Sequence, residues 1–110
     1  MATQSVMHLY MSTGQSPEVG KGGTVLLYSD SYPVTIVGVY GKRAEVREDK
    51  VTVVGGEWPD LKYRYDPDPD APREIFTLRA SGAWIRKGES IRGGARLMIG
   101  PRQYYRDPTF

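Results

Sequence analysis

Pro33-Val34-Thr35-Ile36-Val37-Gly38-Val39-Tyr40-Gly41-Lys42-Arg43-Ala44-Glu45-Val46-Arg47-Glu48 reads as strand, turn, strand. Its first half is apolar and β-branched, the composition that suits a pleated and well-buried surface. Pro33 fits a strand's first residue, where a missing N–H is not needed. At Gly41-Lys42 a glycine supplies the positive φ of a two-residue hairpin turn. Beyond it Ala44 and Val46 alternate with Glu45 and Arg47, the period of two of a half-buried strand.

The same signals continue on both sides. Thr24 to Ser29 is β-branched and apolar, Val51 to Val54 forms a short strand ended by Gly55-Gly56, and Leu61 to Tyr65 alternates apolar with basic residues. Asp66-Pro67-Asp68-Pro69-Asp70-Ala71-Pro72 is a loop, because its prolines lack ladder donors and its aspartates prefer water. Glu74 to Ala80 and Ala83 to Lys87 form a second hairpin about Ser81-Gly82, and Ala95 to Ile99 is a last strand before Gly100-Pro101. No apolar helical spacing persists for more than two turns. Short strands with turns every eight to twelve residues predict an all-β barrel or sandwich, and closure would remove exposed sheet edges.

A chain of 110 residues has room for one core. The glycines at Gly20, Gly22 and Gly23 after Ser16-Pro17 mark residues 1–19 as a flexible lead-in to a single domain over 20–110. Within it, 20–55 is the barrel-like half, 61–100 a second β-layer and 101–110 a tail. Without cysteine there is neither a disulfide nor a thiolate nucleophile or metal ligand. No run approaches the ~20 apolar residues that cross a bilayer, and the start lacks the order of a signal peptide; a cytoplasmic protein with no membrane partner is the expectation. The net charge of +2 is small but uneven. Residues 75–110 hold Arg79, Arg86, Lys87, Arg92, Arg96, Arg102 and Arg106 against Glu89 and Asp107, which makes the second layer basic.

Two resemblances add to this reading. In Gly23–Val54 the order of apolar strand, Tyr28-Ser29-Asp30, Tyr32-Pro33, Thr35-Ile36-Val37, glycine turn and charged alternating strand resembles a Tudor or KOW-type barrel of the Src-homology-3-like class. That implies a small Tudor-like barrel extended by a second hairpin layer. Across Tyr28-Ser29-Asp30, Pro33 to Val37, Lys42-Arg43, Glu48-Asp49, Phe76, Arg79, Gly82-Ala83-Trp84, Gly93-Gly94, Leu97, Gly100 and Tyr105 to Phe110, the chain resembles an uncharacterised family of small phage and prophage proteins. The resemblance implies a phage accessory setting in a host cytoplasm and lends no established activity.

With Ser81-Gly82 as a two-residue turn, Arg79 faces Trp84, Leu78 faces Ile85 and Thr77 faces Arg86. Phe76, Leu78, Ala80, Ala83 and Ile85 then share the core side, while Thr77, Arg79, Trp84 and Arg86 share the other. A tryptophan between arginines on a solvent face suits base stacking with phosphate contacts, or an interface anchor. The competing reading folds the tail, with Tyr104, Tyr105 and Phe110, over Trp84 and leaves the arginines as cation–π packing. A three-residue loop would exchange the faces.

Weaker patterns complete the list. Gly88, Gly93 and Gly94 around Ser90 and Arg92 resemble an anion nest, but ordinary turns look the same. Asp66, Asp68 and Asp70 open like a calcium loop, yet Ala71 and Thr77 stand where glycine and glutamate are needed, so no metal is expected. Tyr28, Asp30 and Tyr32 could wall a cage for a methylated cation, as the Tudor resemblance suggests, or pack a barrel rim. His8 is the sole histidine, without a nucleophile pattern around it, and Glu45, Glu48 and Asp49 fit a solvated strand as well as acid–base work. No catalytic residues and no cofactor are assigned.

The expectation is therefore a non-enzymatic binder of nucleic acid or another anionic partner through Arg79, Trp84, Arg86, Arg92, Arg96, Tyr104 and Tyr105. Alternatives are inhibition of a host defence protein, with Asp66 to Asp70 imitating a nucleic-acid backbone, sequestration of a small nucleotide between subunits of a possible homo-oligomer, and a virion structural piece.

Overall fold

The computed structural model describes residues 15–105, so His8, Arg106 and the ends of the lead-in and tail lie outside the described residues. Eight strands follow in order: β1 (Gly22–Leu26), β2 (Ser31–Tyr40), β3 (Arg43–Glu48), β4 (Lys50–Gly55), β5 (Lys62–Asp66), β6 (Arg73–Leu78), β7 (Trp84–Arg86) and β8 (Arg96–Ile99). No helix occurs among the described residues, and so none is long and apolar enough to cross a membrane.

Six strands close an antiparallel barrel in the order β1-β2-β3-β6-β7-β8, while β4 and β5 pair only with each other. Closure is completed where β1 pairs β8, Val25 opposite Leu97. The opening stretch behaves as its pattern requires: Tyr40 faces Arg43 across Gly41-Lys42, and Ala44 and Val46 are fully buried. Residues 20–55 thus supply three staves, and the basic second layer supplies the other three instead of lying on a finished barrel. The core gathers Val25, Val34, Ile36, Ala44, Val46, Phe76, Trp84, Leu97 and Ile99. Each fully enclosed large side chain, such as Phe76 or Ile36, contributes about 1.5–3 kcal/mol through burial.

At Asp49 the chain leaves the barrel, passing from β3 into the β4–β5 hairpin. The Asp49 carboxylate is enclosed, yet it accepts from Thr35 Oγ1 at 2.6 Å and Arg102 Nε at 2.8 Å, so its charge is met. Arg102 belongs to a strap over 101–105. There Thr24 Oγ1 donates to the Pro101 carbonyl, the Gln103 N–H donates to Thr24 Oγ1, and Tyr105 exchanges backbone bonds with Ser31.

Candidate functional site

The second hairpin departs from its expected register, and this decides which side chains reach water. Leu78 faces Trp84, Thr77 faces Ile85 and Phe76 faces Arg86. The Arg79 N–H donates to the Ala83 carbonyl and the Gly82 N–H to the Arg79 carbonyl, closing a three-residue loop of Ala80, Ser81 and Gly82. Gly82 sits at φ +91°, a conformation that glycine adopts without strain. One extra loop residue turns β7 over. Trp84 is consequently 9% exposed and part of the core, not a stacking surface in solvent.

Ile85 now points outward, but it is fully buried because the loop after β7 folds over it. A Cβ on Gly94 would stand 2.9 Å from Ile85 Cγ2, so that glycine is what lets the loop approach. Arg79 fastens this loop: its Nη2 donates to the Glu89 carbonyl at 2.9 Å and the Arg86 carbonyl at 3.2 Å, and its Nε donates to Thr77 Oγ1. Glu89 fastens it again by accepting the Ala95 N–H at 2.8 Å. That bond, against the opposing effect of burial and with help from Arg86, holds the Glu89 carboxyl below its ordinary range.

Arg86 turns inward beside Phe76, its guanidinium carbon 5.8 Å from the ring centre. It donates to Glu74 Oε1 and to the Tyr32 hydroxyl, both at 2.7 Å, while Tyr32 donates to Glu74. Burial and the neighbouring Glu74 push the Tyr32 phenol well above its ordinary range, so it stays a donor. Burial works against the Arg86 charge, but Tyr32 and Glu74 outweigh it and raise its pKa. Tyr32 is therefore committed to this network, and Tyr28 stands fully exposed at the β1–β2 turn; the two rings with Asp30 do not wall a cage.

The remaining sequence candidates are scattered. Arg92 is exposed on the loop over Ile85, and its own N–H donates to Ser90 Oγ. Tyr104 packs edge-on against Tyr63 at 5.1 Å, and Tyr105 is 56% exposed beside Ser31. Asp66 pairs with Arg64 along β5, and Asp68 accepts the Asp70 N–H in the turn that follows. No group of three or more metal-ligating side chains forms among the described residues.

Arg79 and Arg96 do share a surface, the outer face of β3, β6, β7 and β8. Register links Arg43 through Thr77 and Ile85 to Arg96, and Arg47 to Arg73, across adjacent strands. Neighbouring strands lie ~4.8 Å apart, which sets Arg43 and Arg96 roughly 14 Å apart. The strands place Arg43, Arg47, Arg73 and Arg96 there, Arg79 follows directly after β6, and the loop after β7 adds exposed Lys87 and Arg92. Glu45 alone meets both Arg43 at 3.1 Å and Arg73 at 2.8 Å. Among the described residues no carboxylate bridges Arg47, Arg79 or Arg96, and Arg47 Nε and Arg96 Nη1 are enclosed without a partner. Arg43, Arg47 and Arg73 follow the alternation visible in β3 and β6, but they lie within residues 1–74, where 11 acidic residues outnumber 8 basic ones and hide the local excess.

An open concavity of about 380 Å³ elsewhere is lined by Glu48, Asp49, Asp68, Asp70, Ala71, Pro72 and Glu74. The molecule thus carries a basic face and a separate acidic hollow. Known protein-family models, curated proteins and solved structures give no match to the chain.

Proposed function

We propose that the chain is a non-enzymatic binding domain, of the phage accessory kind its sequence resembles, whose arginine face takes an anionic partner, with a nucleic-acid backbone as the leading ligand. One observation carries this reading: guanidiniums converge from three strands and a loop, and the carboxylates beside them are too few to neutralise them. The solvent-facing N–H groups of these guanidiniums would donate to phosphate oxygens, and their planar geometry suits that contact. Trp84 has no part in contact; it supports the face from inside.

Binding of a mixed-sequence oligonucleotide, titrated across a salt series, tests the proposal. Affinity should fall linearly on a log–log plot as counterions are displaced, and Arg47→Ala with Arg96→Ala should reduce the slope by about two. No binding at low salt, or binding indifferent to both changes, would end it.

A second reading is favoured by the acidic hollow. Glu48, Asp68 and Asp70 line one concavity with Asp49 and Glu74, whose charges Arg102 and Arg86 already meet. The acidic surplus would suit a basic surface on a host protein, the inhibitor alternative, with Asp68 and Asp70 contributed by the aspartate-proline loop. Partner binding lost on Asp68→Asn with Asp70→Asn, but kept without Arg47 and Arg96, would move the function to that end.

A further inference from the structure

We infer that the open edge of β5 pairs with the same edge of a second copy of this chain, antiparallel and about a twofold axis at Arg64. The β4–β5 hairpin stands outside the barrel as a two-stranded sheet, and such a pair is at best marginal alone in water. Among the described residues no backbone hydrogen bond reaches β5 from any strand but β4. Its outer N–H and C=O groups therefore form a template for another strand.

The sequence of that edge selects the occupant. Lys62-Tyr63-Arg64-Tyr65-Asp66 is symmetric about its centre except for charge, which is opposite at its ends. Antiparallel pairing at Arg64 sets Lys62 of each copy across from Asp66 of the other, and Tyr63 across from Tyr65. Two opposite-charge pairs and two aromatic pairs result, each kind favourable across strands. The central arginines set like charges across from each other, a cost reduced because each Asp66, 2.9 Å from the Nε of its own Arg64, lies between that guanidinium and Lys62 of the other copy. Tyr63 and Tyr65 share with Val51 and Val53 a face that Tyr104 of the strap meets at Tyr63, so the four-stranded product extends that apolar face beyond the part the strap covers.

Other pairings fit less well. A slip of one residue sets charges against tyrosines. A slip of two, centred on Tyr65, keeps only three strand residues paired and runs into Pro67, which has no N–H. The β4 edge has a register break between Val53 and Gly55, and pairing it about Thr52 would set Lys50 against Val54 with no charge matched. An isologous contact of this kind closes as a dimer.

Sedimentation of the full chain of 110 residues over a concentration series should show a monomer–dimer equilibrium. Lys62→Asp alone and Asp66→Lys alone should each raise the dimer Kd about tenfold or more, while the double exchange returns it to within about threefold, because the pairs re-form with reversed sign. The exchange also leaves Arg64 a carboxylate two residues away, and far-ultraviolet circular dichroism verifies that each variant folds. The chain has no cysteine, so R64C should give a disulfide-linked dimer under mild oxidant and Y65C should give far less. A monomer up to about 1 mM, a dimer blind to both reversals, or cross-linking through Y65C in place of R64C would overturn the inference.

Discussion

Two hairpins, each with a tryptophan, meet opposite fates in this molecule. In β6–β7 both strands find neighbours, β3 on one side and β8 on the other, and Trp84 is enclosed. The β4–β5 hairpin has comparable β-branched and aromatic strands, yet it finds no neighbour, and Trp58 in its connection is 67% exposed. Composition alone does not separate them. What separates them is whether the ladder can be continued, and one residue of loop length, which chooses the side of the sheet a given side chain occupies.

The contrast breaks most directly at the tryptophans. Trp84→Ala empties a core site bounded by Leu78 and Leu97 and should cost about 3–5 kcal/mol of stability. Trp58→Ala removes a side chain that touches mostly water and should change stability by no more than about 0.5 kcal/mol. Denaturant midpoints of the two variants measure the difference. Equal losses would mean that the outer hairpin is as integral to the fold as the inner one.

Strand positions were largely legible in the sequence, because period-two alternation and glycine turns report them directly: Gly41-Lys42 turns where its chemistry demands, and Ala44 and Val46 point inward. Two features were not legible. Ser81-Gly82 with Ala80 fits a two-residue or a three-residue loop, and positive φ at Gly82 is compatible with both, so the inward side of β7 could not be read from residue types. The other was that the barrel skips β4 and β5. Nothing local in Lys50–Gly55 distinguishes a stave from a projecting arm; Asp49 and its distant partner Arg102 mark the exit, and a contact between residues far apart in sequence leaves no local trace. The same limit explains the arginine face, which assembles from β3, β6 and β8 only once the register is known.

Loop glycines sharpen the comparison at a smaller scale. Gly82→Ala meets no atom within 4 Å, so its cost is backbone strain alone, about 1–2 kcal/mol, felt by the whole barrel because the loop fixes β7. Gly56, at φ +77°, lies against the Asp60 carbonyl, and an added Cβ would collide with it. The Gly56→Ala strain is locally greater, yet it should appear mainly as faster amide exchange in β4 and β5 and hardly in the global midpoint. A global loss from Gly56→Ala exceeding that from Gly82→Ala would show the two hairpins to be one cooperative unit.

The smallest effect expected is one of pH, and it again falls on the inner hairpin. Glu89 holds the loop over Ile85 through the Ala95 N–H, and its carboxyl titrates below its ordinary value of 4.5 for that reason. A folded-state pKa below the unfolded one means that this contribution is complete above about pH 4.5 and is lost as pH falls through the lowered value. The Ala95 amide should therefore lose protection and shift its resonance in that acidic window, followed by nuclear magnetic resonance, and Glu89→Gln should abolish the titration. In the outer hairpin, Arg64 and Asp66 are both largely solvated, so Asp66→Asn should cost under about 1 kcal/mol. An Ala95 amide that titrates unchanged in the glutamine variant would assign the titration to a group other than Glu89, and one that does not titrate in the parent protein would show that the loop is held by Arg79, whose bonds to the Arg86 and Glu89 carbonyls do not depend on a carboxylate.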